Sequence, residues 1–294
     1  MRLECASIPP VSFLPITTET MTIIAQLTDL HIREPNRLAY GRLDTAPYLR
    51  TCVDSVLKLR QRPDAIVLTG DLTDFGRPAE YAHLRELLAP LDIPLYLLPG
   101  NHDDRSNMRL AFPDHVYMAQ GEFIQYVVDI GEIRLIALDT MIPGESGGQL
   151  CAARLSWLRE TLAASEDHAV IIAMHHPPFR TLIGHMDKIG LQAGAEELRE
   201  IVAQHSNIER IICGHLHRAI DVRFGGTIAS TAPAPAHQVT LDLDDDAESS
   251  WMLEPPGFRV HAWDALNRRL VSHLAASGTF EGPYPFHAGG VLID

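Results

Sequence analysis

Five short blocks of the sequence combine aspartate, asparagine and histidine at spacings that suit metal binding. In chain order they are D-L-H at 29–31, G-D at 70–71, G-N-H-D at 100–103, H-H-P at 175–177 and G-H-L-H at 214–217. Carboxylate, amide and imidazole groups without a thiolate suit zinc, manganese, iron or cobalt more than calcium, and they select no single one of these metals. The chemistry that these residues indicate is therefore that of a transition-metal site.

Seven side chains in these blocks are candidate ligands, which is too many for one mononuclear site. They are Asp29, His31, Asp71, Asn101, His175, His215 and His217. Two ions roughly 3.5–4 Å apart that share one carboxylate would use all seven, and such ion pairs serve phosphoryl chemistry. Asp71 is the natural bridge, because it falls between the two histidine-bearing ends of the chain. Position alone does not divide the other ligands between the two ions.

Each block taken alone has a simpler interpretation. A Gly-Asp pair after a strand is usually a turn, and an Asp-x-His pair is more often a cap or a surface pair than a ligand set. The H-H-P block could be a plain loop, and one histidine of the last block could lie in the core. Five such blocks in order, all at predicted strand ends, predict a binuclear metal site instead.

Buried strands must position these blocks. Short runs rich in β-branched residues or leucine predict strands at 22–27, 65–69, 94–98, 123–128, 133–138, 169–174 and 208–213. Amphipathic stretches at 49–57, 81–91 and 198–202 predict helices between them. This alternation implies a largely buried sheet between helices, with an antiparallel hairpin that turns at Gly131 and Glu132. The blocks follow the strands, and ligands bind at that edge of an α/β sheet because its loops converge there.

Beyond Gly214 the pattern changes to strands without intervening helices, at 220–224, 227–229, 237–243, 258–263 and 268–273. The acidic, proline-containing stretch 242–257 predicts a linker, or a lid that excludes long substrates. We therefore predict a catalytic domain over 22–241 and a strand-rich C-terminal segment over 242–294 that caps the site or joins subunits. An apolar face of Phe258, Val260, Ala262 and Leu270 would either join subunits or pack on its own chain. Residues 1–21 are expected to be a non-native or disordered extension.

The composition excludes several functional classes. A chain of 294 residues with 46% hydrophobic and 21% charged residues is typical of a soluble globular protein that builds its own core. A formal charge of −14 and the lack of a Lys/Arg run disfavour long nucleic acids as partners. No apolar run approaches the roughly 18 residues that span a bilayer. Scattered cysteines, and prolines that interrupt any signal peptide, predict a cytoplasmic protein.

At the five blocks the sequence resembles the calcineurin-like metallophosphoesterase superfamily, whose signature is D-x-H, G-D-x-x-[DN], G-N-H-[DE], H-x-P and G-H-x-H. All five motifs are intact between Asp29 and His217. The resemblance narrows to bacterial class III cyclic-nucleotide phosphodiesterases and glycerophosphodiesterases through L-A-Y-G at 38–41, R-P-D-A at 62–65, the run at 94–104, M-H-H-P-P at 174–178 and C-G-H-L-H at 213–217. It implies an αββα sandwich, in which two mixed β-sheets are flanked by helices.

The resemblance also implies a role for each site residue. One ion would take Asp29, His31, Asp71 and His217, and the other would take Asp71, Asn101, His175 and His215. His102 would contact the scissile phosphate, Asp74 would orient the attacking water, and His176 would be a neighbour in its loop. Phe75 and Asp103 depart from the protein Ser/Thr phosphatase pattern, and Asp74 stands where purple acid phosphatases place a metal-binding tyrosine.

The expected activity is hydrolysis of a small phosphodiester, either a 3',5'-cyclic nucleotide or a glycerophosphodiester, by attack of a hydroxide bound to two Fe, Mn, Zn or Co ions. The alternatives are a nucleotide or other small-molecule phosphomonoesterase, a nuclease on the same site, and a non-enzymatic scaffold, which the complete ligand set disfavours. A monoester dianion usually attracts arginine clamps, whereas Arg105, Arg180 and Arg218 are expected to be solvated. The loops 143–149 and 182–192 are expected to shape the substrate pocket, and relatives of this kind imply a homo-oligomer.

Overall fold

The computed structural model describes residues 21–119 and 121–293, so residues 1–20 of the expected N-terminal extension lie outside it. Among the described residues no helix is long and apolar enough to cross a bilayer. The helices are α1 (Ala46–Leu57), α2 (Pro78–Leu88), α3 (Arg105–Ala111), α4 (Ala152–Ala163), α5 (Gly184–Asp187) and α6 (Ala195–Val202), with a 3-10 turn at Val116–Met118. The strands are β1 (Met21–Leu27), β2 (Ala65–Thr69), β3 (Leu95–Leu98), β4 (Tyr126–Ile130), β5 (Ile133–Ala137), β6 (Gly148–Gln149), β7 (Ala169–Ala173), β8 (Leu191–Ala193), β9 (Ile208–Cys213), β10 (Ile220–Phe224), β11 (Thr227–Thr231), β12 (Gln238–Val239), β13 (Trp251–Met252), β14 (Gly257–Asp264), β15 (Arg269–Ala276), β16 (His287–Ala288) and β17 (Val291–Leu292).

Two mixed sheets form the centre of the molecule. The first has the strand order β15-β14-β1-β2-β3, and the second has the order β10-β11-β9-β7-β5-β4. Strands β1, β2 and β3 run parallel, as do β5, β7, β9 and β11, while β4, β10, β14 and β15 add antiparallel edges. The predicted hairpin is confirmed as β4 and β5, with Ile130 opposite Ile133.

Side chains on alternate residues of the central strands divide between two layers. On β7, Ile171 belongs to the same apolar core as the first sheet, whereas Val170 and Ile172 pack with α4 and α6 in a second cluster. A strand points successive side chains to opposite faces, so the two sheets face each other and α4 and α6 cover the outer face of the second. Helices α1 and α2 pack on the first sheet through residues such as Leu49 and Leu84. The predicted αββα sandwich of two mixed sheets is confirmed.

The C-terminal stretch contributes two strands to the first sheet. Strand β14 pairs antiparallel with β1 from Met21–Asp264 to Gln26–Arg259, and β15 pairs with β14. Phe258 is buried in the common core, and Val260 and Leu270 pack against it. For these residues packing on the same chain is the correct alternative. The segment 242–294 therefore supplies part of the central sheet as well as the strands beyond it.

A buried histidine on β14 makes stability depend on pH. The Nδ1 atom of His261 is 2.7 Å from Ser272 Oγ, and its Nε2 is 3.1 Å from Gln26 Oε1. Burial and the positive charges of Arg210 and Arg259 lower the pKa of His261 to about 3. The ring is therefore neutral in the folded protein throughout the range in which an unfolded histidine takes up a proton.

Replacing His261 with glutamine is expected to remove part of the acid sensitivity of the fold. Below the unfolded pKa of about 6.5 the unfolded chain binds one proton more than the folded chain, so wild-type stability falls by about 1.4 kcal/mol per pH unit from this group. The stability difference between wild type and His261→Gln should therefore shrink as the pH is lowered from 6 to 4. Urea unfolding of both proteins at several pH values measures this difference in the free energy of unfolding. A His273→Gln variant, which changes an exposed histidine, is the control. A constant difference would contradict the assignment.

Candidate metal centre

The seven candidate ligands lie where strands of both sheets end. Asp29 and His31 follow β1, and one residue each from the loops after β2, β3 and β7 and two after β9 complete the set, namely Asp71, Asn101, His175, His215 and His217. Backbone hydrogen bonds join these loops, from Asp29 N to Gly70 O, from His31 N to Asp71 O and from Gly214 N to His175 O, each 3.0 Å long. The structure brings all seven side chains together at the junction of the two sheets.

Distances between the ligand atoms divide the side chains into two groups that meet at Asp71. The Oδ2 atom of Asp71 is 3.6 Å from His31 Nε2 and 3.4 Å from His175 Nε2. On one side, His217 Nε2 is 3.2 Å from His31 Nε2 and 3.5 Å from Asp29 Oδ1. On the other side, Asn101 Oδ1 lies 3.1 Å from His175 Nε2 and from His215 Nδ1. This division agrees with the one that the resemblance implies and remains a prediction, since Asp29, Asp71 and His175 also have ligand atoms within 4.8 Å of one another.

The orientation of the imidazoles fits bound cations. The outer Nδ1 atoms of His31, His175 and His217 lie 3.3, 2.8 and 3.1 Å from Asp74 Oδ1, Thr69 O and His237 O. Acceptors on the outside place the proton on Nδ1 and turn the Nε2 lone pair inward, as is usual for histidines that bind metals. The facing Nε2 atoms of His31 and His217 would then repel each other at 3.2 Å unless a cation lies beside both. The donor set therefore fits a pair of transition-metal ions.

Buried charges make the centre a coupled acid–base system. Burial opposes ionisation of Asp71, but the positive charges of His175, His102 and His31 hold its pKa well below the usual value. Burial likewise disfavours a charged His175, yet the neighbouring Asp71 and Asp29 raise its pKa to about 9. Burial, with a contribution from Asp71, raises the pKa of Asp29 to about 6. Because metal ligands must be deprotonated, metal uptake here is coupled to proton release.

Five of the seven candidate ligands have a left-handed backbone. Their φ angles lie between 46° and 70°, at Asp29, His31, Asp71, His215 and His217. Residues other than glycine adopt this region seldom, and each instance costs about 1–3 kcal/mol unless the surroundings enforce it. The surroundings here include both Asp29 carboxylate oxygens, which accept from His215 N at 3.0 Å, and Asp71 Oδ1, which accepts from His102 N at 2.9 Å. Clustered strain of this kind is typical of functional sites.

The two predicted catalytic residues, His102 and Asp74, differ in their exposure to the cavity. His102 lines a cavity above the centre with a side chain 35% exposed, and its Nδ1 is 2.8 Å from Asp74 O. Asp74 is buried, with Oδ1 beside His31 Nδ1 and Oδ2 accepting from Arg33 Nη1 at 3.2 Å. These contacts place the Asp74 carboxylate behind His31, where it orients that imidazole. The expected role of Asp74 in orienting the attacking water remains a prediction.

The cavity above the centre has a volume of about 400 Å³. Ser146, from the loop 143–149, and His185, Met186 and Ile189, from the loop 182–192, line it, so both loops expected to shape the pocket do so. The acidic stretch 242–257 contributes the run from Ser249 to Trp251. Sequence reasoning did not assign three further lining residues to the site, namely Tyr40, His237 and Val239. Tyr40 falls in the L-A-Y-G stretch, which was the available signal for it.

The expectation for the arginines is wrong for two of the three. Arg105 is largely buried and donates to both carboxylate oxygens of the buried Asp139, at 2.6 and 2.8 Å. Arg218 pairs with Glu254 and is also mostly buried. Only Arg180 has a solvated side chain, which is 73% exposed. Among the described residues that line the cavity there is no lysine or arginine.

Comparison with known proteins agrees with this geometry. Residues 22–219 match the family described as calcineurin-like phosphoesterase. A probable glycerophosphodiester phosphodiesterase from Arcobacter nitrofigilis is 37% identical over 273 residues, which cover 92% of this chain and 100% of that protein. A cAMP/cGMP dual specificity phosphodiesterase from Mycobacterium tuberculosis is 34% identical over 226 residues, or 75% of this chain and 69% of that protein. A solved structure, a dimetal phosphatase from Danio rerio, has the same fold with a TM-score of 0.59 at 16% identity, over 86% of this chain and 99% of that one. The chain belongs to the calcineurin-like phosphoesterase family.

Proposed function

We propose that the protein is a binuclear metal-dependent phosphodiesterase that hydrolyses small phosphodiesters. The convergence of seven oxygen and nitrogen ligands in two groups around Asp71, at the floor of a cavity of about 400 Å³, carries this proposal. The named activities of the relatives support 3',5'-cyclic nucleotides or glycerophosphodiesters as substrates. The ligand chemistry suits iron, manganese, zinc or cobalt.

The side chains of the centre have different roles in the proposed hydrolysis. Two metal ions held by the seven ligands would supply a nucleophile at neutral pH and would neutralise charge on the phosphoryl oxygens. Asp71 lies between the two ligand groups, and its carboxylate contacts a histidine of each group. His102 has its Nδ1 2.8 Å from the Asp74 carbonyl oxygen, which leaves Nε2 for the phosphoryl or the leaving oxygen. Asp74 and Arg33 fix the orientation of His31.

The charge of the cavity favours diesters over monoesters. A phosphomonoester carries up to two negative charges near neutral pH and usually draws a bidentate arginine clamp. Arg105, the arginine nearest in sequence to His102, is occupied by Asp139, and the described cavity lining holds neither arginine nor lysine. A diester carries one charge, which metal ions held by the seven ligands would balance. The phosphomonoesterase alternative has no comparable observation in its favour.

Hydrolysis of two chromogenic esters by the metal-reconstituted protein tests the proposal. We expect a higher kcat/KM on bis(p-nitrophenyl) phosphate than on p-nitrophenyl phosphate, with no activity after the metals are chelated. A preference for the monoester would keep the metal centre but assign a phosphatase. No turnover of either ester by protein that holds two metal ions per chain would contradict the proposed function.

A His102→Ala variant is expected to keep its metal ions and lose turnover. His102 is not among the seven ligands, so two ions per chain should remain bound. Loss of a positioned proton donor should lower kcat on the diester by about 10²–10⁴-fold. Metal analysis and steady-state kinetics on the same sample separate the two effects, with His273→Ala as the exposed control. Undiminished turnover would remove His102 from the mechanism.

We further propose that the protein is a cytoplasmic homo-oligomer. Large apolar side chains near the C-terminus are exposed, including Phe280, Tyr284, Phe286 and Val291 at 67–81%. Exposed apolar patches of this kind mark interaction surfaces, and a second copy of the chain would cover them. Free thiols at Cys52, Cys151 and Cys213 suit a reducing compartment. Light scattering of the purified protein measures the oligomeric state.

A further inference from the structure

An aromatic wall lines the cavity beside the candidate metal centre. It consists of Tyr40, His237 and Trp251, all of which line the cavity. The rings of Tyr40 and Trp251 are 5.7 Å apart at 35°, and His237 meets both edge-on at 5.1 and 5.5 Å. At its inner end the ring of His237 is 4.5 Å from that of His217. The proposed hydrolysis assigns no role to Tyr40 or Trp251.

Trp251 is held in place by the loop that carries a candidate ligand. It lies on β13, which pairs with β12 through Val239 opposite Trp251. Arg218, the residue after His217, donates to Val239 O at 2.6 Å and forms an ion pair with Glu254. The strand pair is therefore tied to the ligand loop, and Trp251 has a fixed position relative to the metal centre.

His185 adds an unused polar group to the same cavity. It lies on α5, and both of its ring nitrogens are buried without a hydrogen-bond partner among the described residues. A buried polar atom without a partner is unfavourable, so such atoms are found where a ligand or a water supplies the missing bond. His185 can donate from one nitrogen and accept at the other.

We infer that Trp251 and Tyr40 determine substrate specificity by stacking on a planar ring in the alcohol part of the diester, while His185 hydrogen-bonds to a polar group on the edge of that ring. The inference rests on the proposed phosphodiesterase function. Aromatic faces bind flat π systems through offset stacking, and an aliphatic alcohol gains much less from them. A nucleobase combines a planar face with a polar edge, so a nucleoside phosphodiester suits this wall better than an aliphatic diester.

Kinetics on two diesters test the inference. The probes are adenosine 3',5'-cyclic phosphate and glycerophosphoglycerol, which lacks a ring. We expect Trp251→Ala to raise KM for the cyclic nucleotide about tenfold, as loss of one base–aromatic stack implies, with kcat little changed. The same variant should change kcat/KM for glycerophosphoglycerol by a much smaller factor. Trp251→Phe keeps an aromatic face and should retain most of the affinity, and Glu254→Gln, which loosens the strand pair, should raise KM by an intermediate factor.

A binding measurement complements the kinetics. In the slowly turning His102→Ala background, adenosine 3',5'-cyclic phosphate should quench tryptophan fluorescence, and the further change Trp251→Phe should abolish the quenching. The other two tryptophans do not line the cavity, and Trp263 is only 1% exposed. Quenching that survives Trp251→Phe would contradict the stacking position.

The outcomes separate this inference from the proposed function. Wild-type protein that hydrolyses neither diester nor bis(p-nitrophenyl) phosphate overturns the function and the inference together. The inference alone is overturned if the wild type hydrolyses both diesters and Trp251→Ala changes kcat/KM for both by the same factor, or for neither. The inference is also wrong if the wild type hydrolyses glycerophosphoglycerol but not the cyclic nucleotide.

Discussion

An Asp71→Asn variant is expected to lose about 10³-fold in kcat/KM on bis(p-nitrophenyl) phosphate. A metal ion stabilises the charge of the transition state by several kcal/mol, and each 1.36 kcal/mol changes the rate by a factor of ten. Asp71 stands between the two ligand groups, 3.6 Å from His31 Nε2 and 3.4 Å from His175 Nε2. Asparagine keeps the shape but removes the charge that opposes repulsion between two cations. We therefore expect fewer than two ions per chain as well.

Metal analysis and kinetics on one preparation check this result. The matched control is Asp129→Asn, which removes a carboxylate that is 52% exposed and paired with Arg134 on the β4–β5 hairpin. The control should bind two ions and turn over at the wild-type rate. An Asp71→Asn variant with two ions and wild-type kcat/KM would show that Asp71 does not bridge them.

A Gly100→Ala variant is expected to lose roughly 10²-fold or more in kcat/KM, because displacement of reacting groups by about 1 Å has an effect of that size. A methyl group at Gly100 would overlap the side chain and backbone nitrogen of Asp71 and lie 2.8 Å from His175 Cε1. The backbone of Gly100 is not left-handed, so lack of space alone causes the effect. Asp103 also joins this loop to the one after β2, since its Oδ2 accepts from Gly100 N at 3.0 Å and from Leu72 N at 3.1 Å.

Gly190→Ala is the matched control for this substitution. The nearest atom to a methyl group there is Met186 O at 3.8 Å, an ordinary contact, and its backbone is also not left-handed. Kinetics, metal content and circular dichroism should show a folded Gly100→Ala protein with a damaged centre beside an unaffected control. A Gly100→Ala enzyme with wild-type activity would mean that the spacing of Asp71 and His175 tolerates change.

Much of the fold could be predicted because its signals are local. Buried runs such as 65–69 and 169–173 carry their strand character in their own residues, and the candidate ligands directly follow them. The first sheet was harder to predict, because β14 joins it through pairs such as Met21–Asp264, whose residues are far apart in the chain. No local pattern specifies such a partner. The spacing also left open how the ligands divide between two ions, which depends on the meeting of two sheets.

The parts of the site that were not predicted also depend on contacts between residues far apart in the chain. Trp251 reaches the cavity only because β13 pairs with β12, and neither two-residue strand has a periodicity of its own. Arg105 was expected to be solvated because nothing in its own sequence neighbourhood indicates Asp139 as a buried partner. Motif residues could be predicted because their types are specific to the chemistry. Residues that only shape or support the cavity can be of many types, so their type does not indicate their role.

The left-handed residues of the centre bear on which residue types the backbone alone would favour there. In the D-x-H and G-H-x-H blocks, Leu30 and Leu216 lie between two such residues and are each 1% exposed, so the core pins a backbone that the flanking ligands disfavour. Glycine would relieve that strain, and a lineage under pressure for thermal robustness alone would accumulate it there. His31 and His215 thus place side chains that metal binding would need at positions where the backbone alone favours glycine.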